Sequence, residues 1–169
     1  MSRRIVRWLI TLSVALVALF ATFSSAAAAP RAADTPPSNN TRLERAYKIE
    51  QQSLREMERR FQQASAQADD VAKLIARFKQ HGVDTAPLER ALAAFRSRIA
   101  EAHHQWEMAR DVLAAHAGFD AQGHVTDARQ AGATVLKAHN HLAQARATIE
   151  LAARQLRAAV AAFLRAHHP

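Results

Sequence analysis

Nine histidines give this 169-residue chain its most distinctive side-chain chemistry, since it contains no cysteine. Where thiolate is absent, imidazole and carboxylate groups can bind zinc, copper or nickel. Two groups of such residues come together if the helices described below pack side by side. The first group is His103, His139 and His141, and the second is Glu50, His116, His124 and Asp127.

Neither group has the spacing of a known metal motif. The patterns His-x-x-x-His and His-Glu-x-x-His place two ligands on one helical face, and the chain contains neither pattern. We therefore interpret both groups as solvated surface side chains and assign no metal ligand. Binding or sensing of a divalent transition metal is the alternative that these residues leave open.

Catalytic motifs are absent from the sequence. It has no Gly-x-Ser-x-Gly turn, no Gly-rich phosphate loop and no dinucleotide fingerprint. Glu50 and His116 can approach each other, but no third group is evident to orient them as a catalytic unit. We therefore predict a non-enzymatic protein without catalytic or cofactor-binding residues.

From Thr41 onward, apolar residues recur in alternating steps of four and three. Such heptads, sustained over many turns, are typical of long helices that pack as a coiled coil. We expect helices at about residues 41–81, 85–117 and 127–167, within a bundle domain of residues 41–169.

Residues that favour helix ends lie at these boundaries. Thr41 and Glu44 have the spacing of a capping box, in which each side chain satisfies a free backbone N–H of the first turn. Gly82 and Gly118 stand where left-handed C-caps belong. Thr126 can cap the third helix.

Short connections between the helices predict an all-α, elongated, antiparallel up-down-up three-helix bundle, because a short turn makes consecutive helices antiparallel neighbours. In the apolar seam of the third helix, one of the two heptad positions is always alanine. Such small residues let helix backbones approach closely. These residues are Ala131, Ala138, Ala145, Ala152, Ala159 and Ala166.

Two seam positions are polar, Glu50 in the first helix and His116 in the second. Antiparallel pairing about a turn at residues 82–83 places them at the same height. We therefore predict a partly buried Glu50–His116 pair that fixes the register of the bundle at some cost in stability.

An apolar overhang is predicted at the far end of the third helix, where it extends past the first turn. It consists of Val160, Phe163 and Leu164. Exposed apolar surface of this kind is usually covered, so we expect it to fold over Val83, to meet another copy of the chain or to hold a client.

The N-terminus has the features of a secretory signal peptide. Arg3, Arg4 and Arg7 precede an apolar stretch that ends in small residues, as signal peptides do. We assign residues 1–28 to the signal, with cleavage between Ser25 and Ala29, and residues 29–40 to a flexible Pro-rich linker.

Export to the periplasm or the cell exterior follows from this reading. Whether export uses the general or the twin-arginine pathway is left open, and an uncleaved signal would act as a membrane anchor. The alanine- and arginine-rich composition is typical of a bacterium with a GC-rich genome.

The formal net charge of +8 includes three positive charges of the signal segment. The remaining basic residues scatter around the helices and form no single stripe, so we predict no specific nucleic-acid partner.

The sequence thus predicts an exported helical bundle that acts through protein–protein or cell-envelope interaction, with an unidentified partner. One alternative is an extracytoplasmic metal-binding or metal-sensing protein that uses the histidine groups. The other is a periplasmic holdase chaperone that binds unfolded clients along its apolar ends.

Overall fold

A computed structural model of the chain describes residues 38–167. Three helices make up most of this part: α1 at Asn39–Gln80, α2 at Ala86–Ala114 and α3 at Ala128–Ala166. The predicted all-α three-helix bundle is confirmed. The predicted signal segment and residues 29–37 of the predicted linker lie outside the described residues.

Contacts between α1 and α2 show that these helices are antiparallel. Near the turn that joins them, Lys79 Nζ lies 2.8 Å from Glu89 Oε1. Toward the other end, the Trp106 indole Nε1 donates to the Leu54 carbonyl at 3.0 Å. Later residues of α2 therefore lie beside earlier residues of α1.

Contacts between α1 and α3 show that these helices run parallel. His139 Nδ1 lies 3.0 Å from Glu50 Oε1, and the rings of Phe78 and Phe163 meet edge to face at 5.0 Å. The order is therefore up-down-up, as predicted.

Apolar heptad positions form the core. Buried side chains follow the seam of each helix in three clusters along the bundle axis, centred on Leu92 and Leu156, on Met57 and Leu142, and on Tyr47 and Leu113. Met57 is fully buried. Because burial of such a side chain contributes about 1.5–3 kcal/mol, this seam is the main source of stability.

The alanine edge of α3 sets the spacing between two of the helices. Ala131, Ala138 and Ala145 are fully buried, and so are Ala102 and Ala109 of α2. Small side chains on facing positions let the two backbones approach closely, and α3 accordingly packs more extensively against α2 than against α1.

The end of α1 is a Schellman motif. Gly82 has a φ of +72°, the Gly82 N–H donates to the Lys79 carbonyl, and the Val83 N–H donates to the Phe78 carbonyl. Val83 also packs into the cluster that contains Phe78. The predicted C-cap at Gly82 is therefore present, with the hydrophobic contact that accompanies such caps.

The predicted capping box at the start of α1 is wrong. The helix begins at Asn39, and the Ser38 side chain accepts from the Thr41 N–H. Glu44 Oε1 instead accepts from the Val125 N–H at 3.2 Å. Glu44 lies beside a folded loop that presents the partly buried Val125 N–H to it, and this tertiary bond replaces the local one.

At the start of α3 the cap is Asp127, and the predicted cap Thr126 is wrong by one residue. The Asp127 side chain accepts from the Arg129 and Gln130 N–H groups. Asp127 takes the extended backbone conformation that a cap requires, whereas the Thr126 N–H is bonded to the Gly118 carbonyl within the loop.

The predicted apolar overhang at the end of α3 is not exposed. Phe163 is only 5% exposed and lies against Phe78, while Val160 and Val83 pack on the same cluster. Leu164 is half-buried. The bundle therefore covers Phe163 with its own residues, as in the predicted alternative that the overhang folds over Val83, while Val160, like Leu164, is half-buried.

Within residues 38–167, no helix combines the length and the hydropathy that crossing a bilayer requires.

Candidate functional site

Several polar side chains that hydrogen-bond between different elements of the chain lie at one end of the bundle. We call it the loop end and define it as residues 39–51 of α1, the connection 115–127 and residues 128–141 of α3.

Tyr47 anchors the connection to α1. It is 2% exposed, its ring stacks on Phe119 at 4.2 Å, and its hydroxyl donates to the Leu113 carbonyl at 2.9 Å. His116 Nδ1 lies 2.6 Å from the same oxygen. Since the hydroxyl has one proton, already given to Leu113, the His116 ring must donate its Nδ1–H.

Burial raises the pKa of Tyr47 above its ordinary value, because a charged phenolate is disfavoured away from water. The hydroxyl therefore stays protonated and keeps its bond to Leu113.

The connection itself is a small hairpin. Phe119 and Val125 form an antiparallel bridge. At its tip, Asp120 Oδ1 accepts from the N–H groups of Gln122 at 2.9 Å and His124 at 2.8 Å. The bond from the His124 N–H is the largest cause that lowers the pKa of Asp120. The Asp120 carboxylate thus holds the tip in one conformation.

The predicted Glu50–His116 pair is not formed. Glu50 is 7% exposed and contacts His139 of α3, whereas His116 is exposed and contacts Tyr47. The physical reason is that α2 ends at Ala114, before the predicted end at residue 117. His116, with a φ of +51°, has therefore left the helical seam.

The first histidine group does not converge. His139 faces Glu50 on α1, while His141 Nδ1 lies 2.8 Å from Gln105 Oε1 on α2. His103 lies 3.5 Å from Glu107 of its own helix. Because His139 and His141 lie on opposite sides of the seam, each points at a different neighbouring helix.

The second group is likewise divided among other partners. His124 Nδ1 lies 3.5 Å from Glu44 Oε1, Asp127 caps α3, and Glu50 and His116 have the partners given above. Across residues 38–167, no three metal-ligating side chains come together in a group that can hold an ion.

A pocket of about 140 Å³ opens between α1 and the hairpin. Its lining residues are Tyr47, Lys48, Gln51, His116, Ala121, Gln122 and Gly123.

An exposed apolar pair lies on another face of the loop end. Leu136 and Ile49 are 61% and 53% exposed, more than any other large apolar side chain in the described part of the chain. We call them the Ile49–Leu136 patch.

The heptad repeat places the two residues of the patch on either side of the α1–α3 groove. Arg60 of α1 bridges Glu56 at 3.1 Å and Glu150 of α3 at 3.8 Å across this groove. Ile49 precedes Glu56 by one heptad, and Leu136 precedes Glu150 by two. Since residues a heptad apart share a face, the groove changes from charged to apolar toward the loop end.

The helix segments that contain this patch are rich in basic residues. Residues 39–55 of α1 and 128–141 of α3 contain two acidic residues, Glu44 and Glu50, both with partners given above. They contain six basic residues, namely Arg42, Arg45, Lys48, Arg55, Arg129 and Lys137. These two segments therefore carry a net positive formal charge.

Comparisons of this chain with protein families, with curated proteins and with solved structures found no match. The loop end is therefore interpreted from its own chemistry.

Sequence reasoning missed Tyr47 as an anchor and Ile49 and Leu136 as a surface. Tyr47 had a usable signal, since it is the only tyrosine of the chain and occupies an apolar seam position. Ile49 and Leu136 are apolar at heptad positions that face solvent, but their relative height depends on the offset between α1 and α3.

We predict energetic coupling between Glu50 and His139. His139→Ala removes the imidazole partner of a buried carboxylate and should lower the free energy of unfolding by about 1–2 kcal/mol. In a double-mutant cycle with Glu50→Ala, measured by urea unfolding, the coupling should reach about 1 kcal/mol.

The matched control is the cycle of Glu50→Ala with His116→Ala, which should be additive within about 0.5 kcal/mol. Additivity in the first cycle and coupling in the second would contradict the observed pairing.

Proposed function

We propose that this protein is an exported, non-enzymatic interaction module that binds an acidic partner protein through the Ile49–Leu136 patch. The observation that carries the proposal is the position of the two most exposed large apolar side chains, on either side of one groove.

Exposed apolar residues that stand singly are common and need no explanation, whereas a contiguous patch with a polar rim marks an interaction surface. Protein interfaces typically have such an apolar centre and a polar rim. Ile49 and Leu136 provide the centre, and Arg45 and Lys137 belong to the rim.

The charge of the rim selects the partner. The six basic residues of these segments have no unpartnered acidic neighbour within the same segments. An acidic partner surface gains attraction during encounter and fixes the orientation of docking. We therefore commit to a protein with an apolar contact residue set among carboxylates.

Photo-crosslinking followed by reconstitution tests this proposal. A crosslinking side chain at Asn140, one helical turn beyond Leu136, should capture the partner in the cell envelope. The same group at Gln63 is the matched control, since Gln63 lies on the stripe of α1 that contains Ile49 but two heptads further along.

The purified partner should bind the double variant Ile49→Ser/Leu136→Ser at least about tenfold more weakly than the parent. The control is Met108→Ser/Leu151→Ser, which removes the other two exposed large apolar side chains of the described residues and should leave the Kd unchanged. Because all four residues are exposed, both variants should unfold within about 0.5 kcal/mol per substitution of the parent.

Equal binding of the partner to both double variants would contradict the proposal. Capture of a second copy of the chain, with a dimer in sedimentation, would also contradict it. Cell fractionation with the intact mass of the mature chain tests export, because cleavage between Ser25 and Ala29 removes a defined mass.

The two alternative functions have separate tests. Titration with Zn²⁺, Cu²⁺ and Ni²⁺ addresses metal binding, and suppression of aggregation of an unfolded client at stoichiometric ratio addresses the holdase function.

A further inference from the structure

We propose that the pocket between α1 and the hairpin tip binds a small oxyanion, a carboxylate or a phosphate. This inference is separate from the proposed partner surface, because its walls are the side of α1 that faces the hairpin and the hairpin itself.

The lining of the pocket contains a basic side chain and no acidic one. Lys48 provides an ammonium group, Gln51 and Gln122 provide side-chain amides that can donate as well as accept, and no lining residue is a carboxylate. Ammonium and amide donors are the groups that proteins use to hold oxyanions.

Two carboxylates, one in the hairpin and one in α1, bind the backbone of the hairpin. Asp120 accepts from the backbone N–H groups of Gln122 and His124, and Glu44 accepts from the Val125 N–H. Both carboxylates are thus held outside the lining of the pocket, and Lys48 is the lining side chain that carries a permanent charge.

The walls of the pocket are held in place by packing and hydrogen bonds within the chain. Gly123 has a φ of +84°, a conformation that side chains rarely adopt, and a Cβ built there would lie 3.7 Å from the Tyr47 ring. Tyr47 itself is held by its stack on Phe119 and by the hydrogen bond from its hydroxyl to the Leu113 carbonyl. A rigid pocket loses little entropy on binding.

The size of the pocket limits the ligand to a few non-hydrogen atoms. Its volume of about 140 Å³ is well below the roughly 300–1,000 Å³ of pockets that take drug-sized molecules. Acetate and inorganic phosphate fit these limits, and the affinity expected for so small a ligand is millimolar.

Titration of the ¹⁵N-labelled protein with sodium acetate and with sodium phosphate, at constant ionic strength and pH, tests the inference. The amide signals of Gln122 and Gly123 should shift and saturate with at least one of the two oxyanions. The stronger of the two titrations identifies carboxylate or phosphate as the preferred group.

Lys48→Gln should weaken binding at least fivefold. The matched control is Arg45→Gln, which removes one positive charge from the same stretch of α1 without touching the pocket, and it should leave the Kd unchanged. The same shifts with sodium chloride, or equal weakening by the two variants, would overturn the inference. Lys48 is exposed, so its replacement leaves the fold intact.

Discussion

Gly118→Ala is expected to lower the free energy of unfolding by about 2–5 kcal/mol. Gly118 is buried with a φ of +85°, and a Cβ at this position would overlap the backbone nitrogen of Ala131 and lie 2.7 Å from the Asp127 oxygen. The left-handed conformation costs alanine about 1–2 kcal/mol. Overlap with backbone atoms adds about 1–3 kcal/mol or more, because no flexible side chain can move aside.

Gly82→Ala is the matched control for this prediction. Gly82 has a similar φ of +72°, but nothing lies within 4 Å of its added Cβ, so only the conformational strain of about 1–2 kcal/mol is expected. Urea unfolding followed by circular dichroism measures both variants. Equal losses at the two glycines would mean that the hairpin does not pack against the start of α3 as described.

Tyr47→Ala is expected to destabilise the protein by about 3–5 kcal/mol, as truncation of buried aromatic residues typically does. The substitution removes the stack on Phe119 and the hydrogen bond to Leu113 together. Tyr47→Phe keeps the ring and loses the hydroxyl, so it should cost only about 1–2 kcal/mol.

The fluorescence of Trp106 gives the unfolding curve of both Tyr47 variants, since this residue packs in a different core cluster. The amide signals of residues 116–125 should change in Tyr47→Ala and be largely retained in Tyr47→Phe. If Tyr47→Ala costs no more than Tyr47→Phe, the aromatic stack does not anchor the hairpin.

The core was predictable because it depends on local periodicity. Met57 and Leu142 are buried since each recurs at a seam position of its own helix, whatever the relative height of the helices. A seam needs only the 3.5-residue repeat, and that repeat can be read directly from the chain.

Pairing between helices was less predictable because it depends on where each helix ends. The heptad pattern of α2 continues through His116 in the sequence, but the helix ends at Ala114, and His116 turns toward Tyr47. Glu50 then contacts His139, a residue 89 positions away. Errors of a few residues in the helix ends at the two connections shift the predicted height of α3 relative to α1. The sequence therefore does not identify the partner of Glu50 on α3.

Capping was mispredicted where tertiary contacts compete with local ones. Glu44 has the spacing of a capping box, yet it accepts from Val125, which lies 81 positions away. Only the folded hairpin brings that N–H to α1, and a local motif contains no information about it.

The unequal packing of the helices should limit the lifetime of the folded loop end. Close approach along the alanine edge packs α2 and α3 tightly together, and α1 packs less extensively against this helix pair. Proteins unfold locally in cooperative units that follow such differences in packing. We therefore expect α1 to detach from the bundle before α2 and α3 separate from each other. The Ile49–Leu136 patch and the pocket beside Tyr47 both include residues of α1. Both would therefore last only as long as α1 stays packed against α2 and α3.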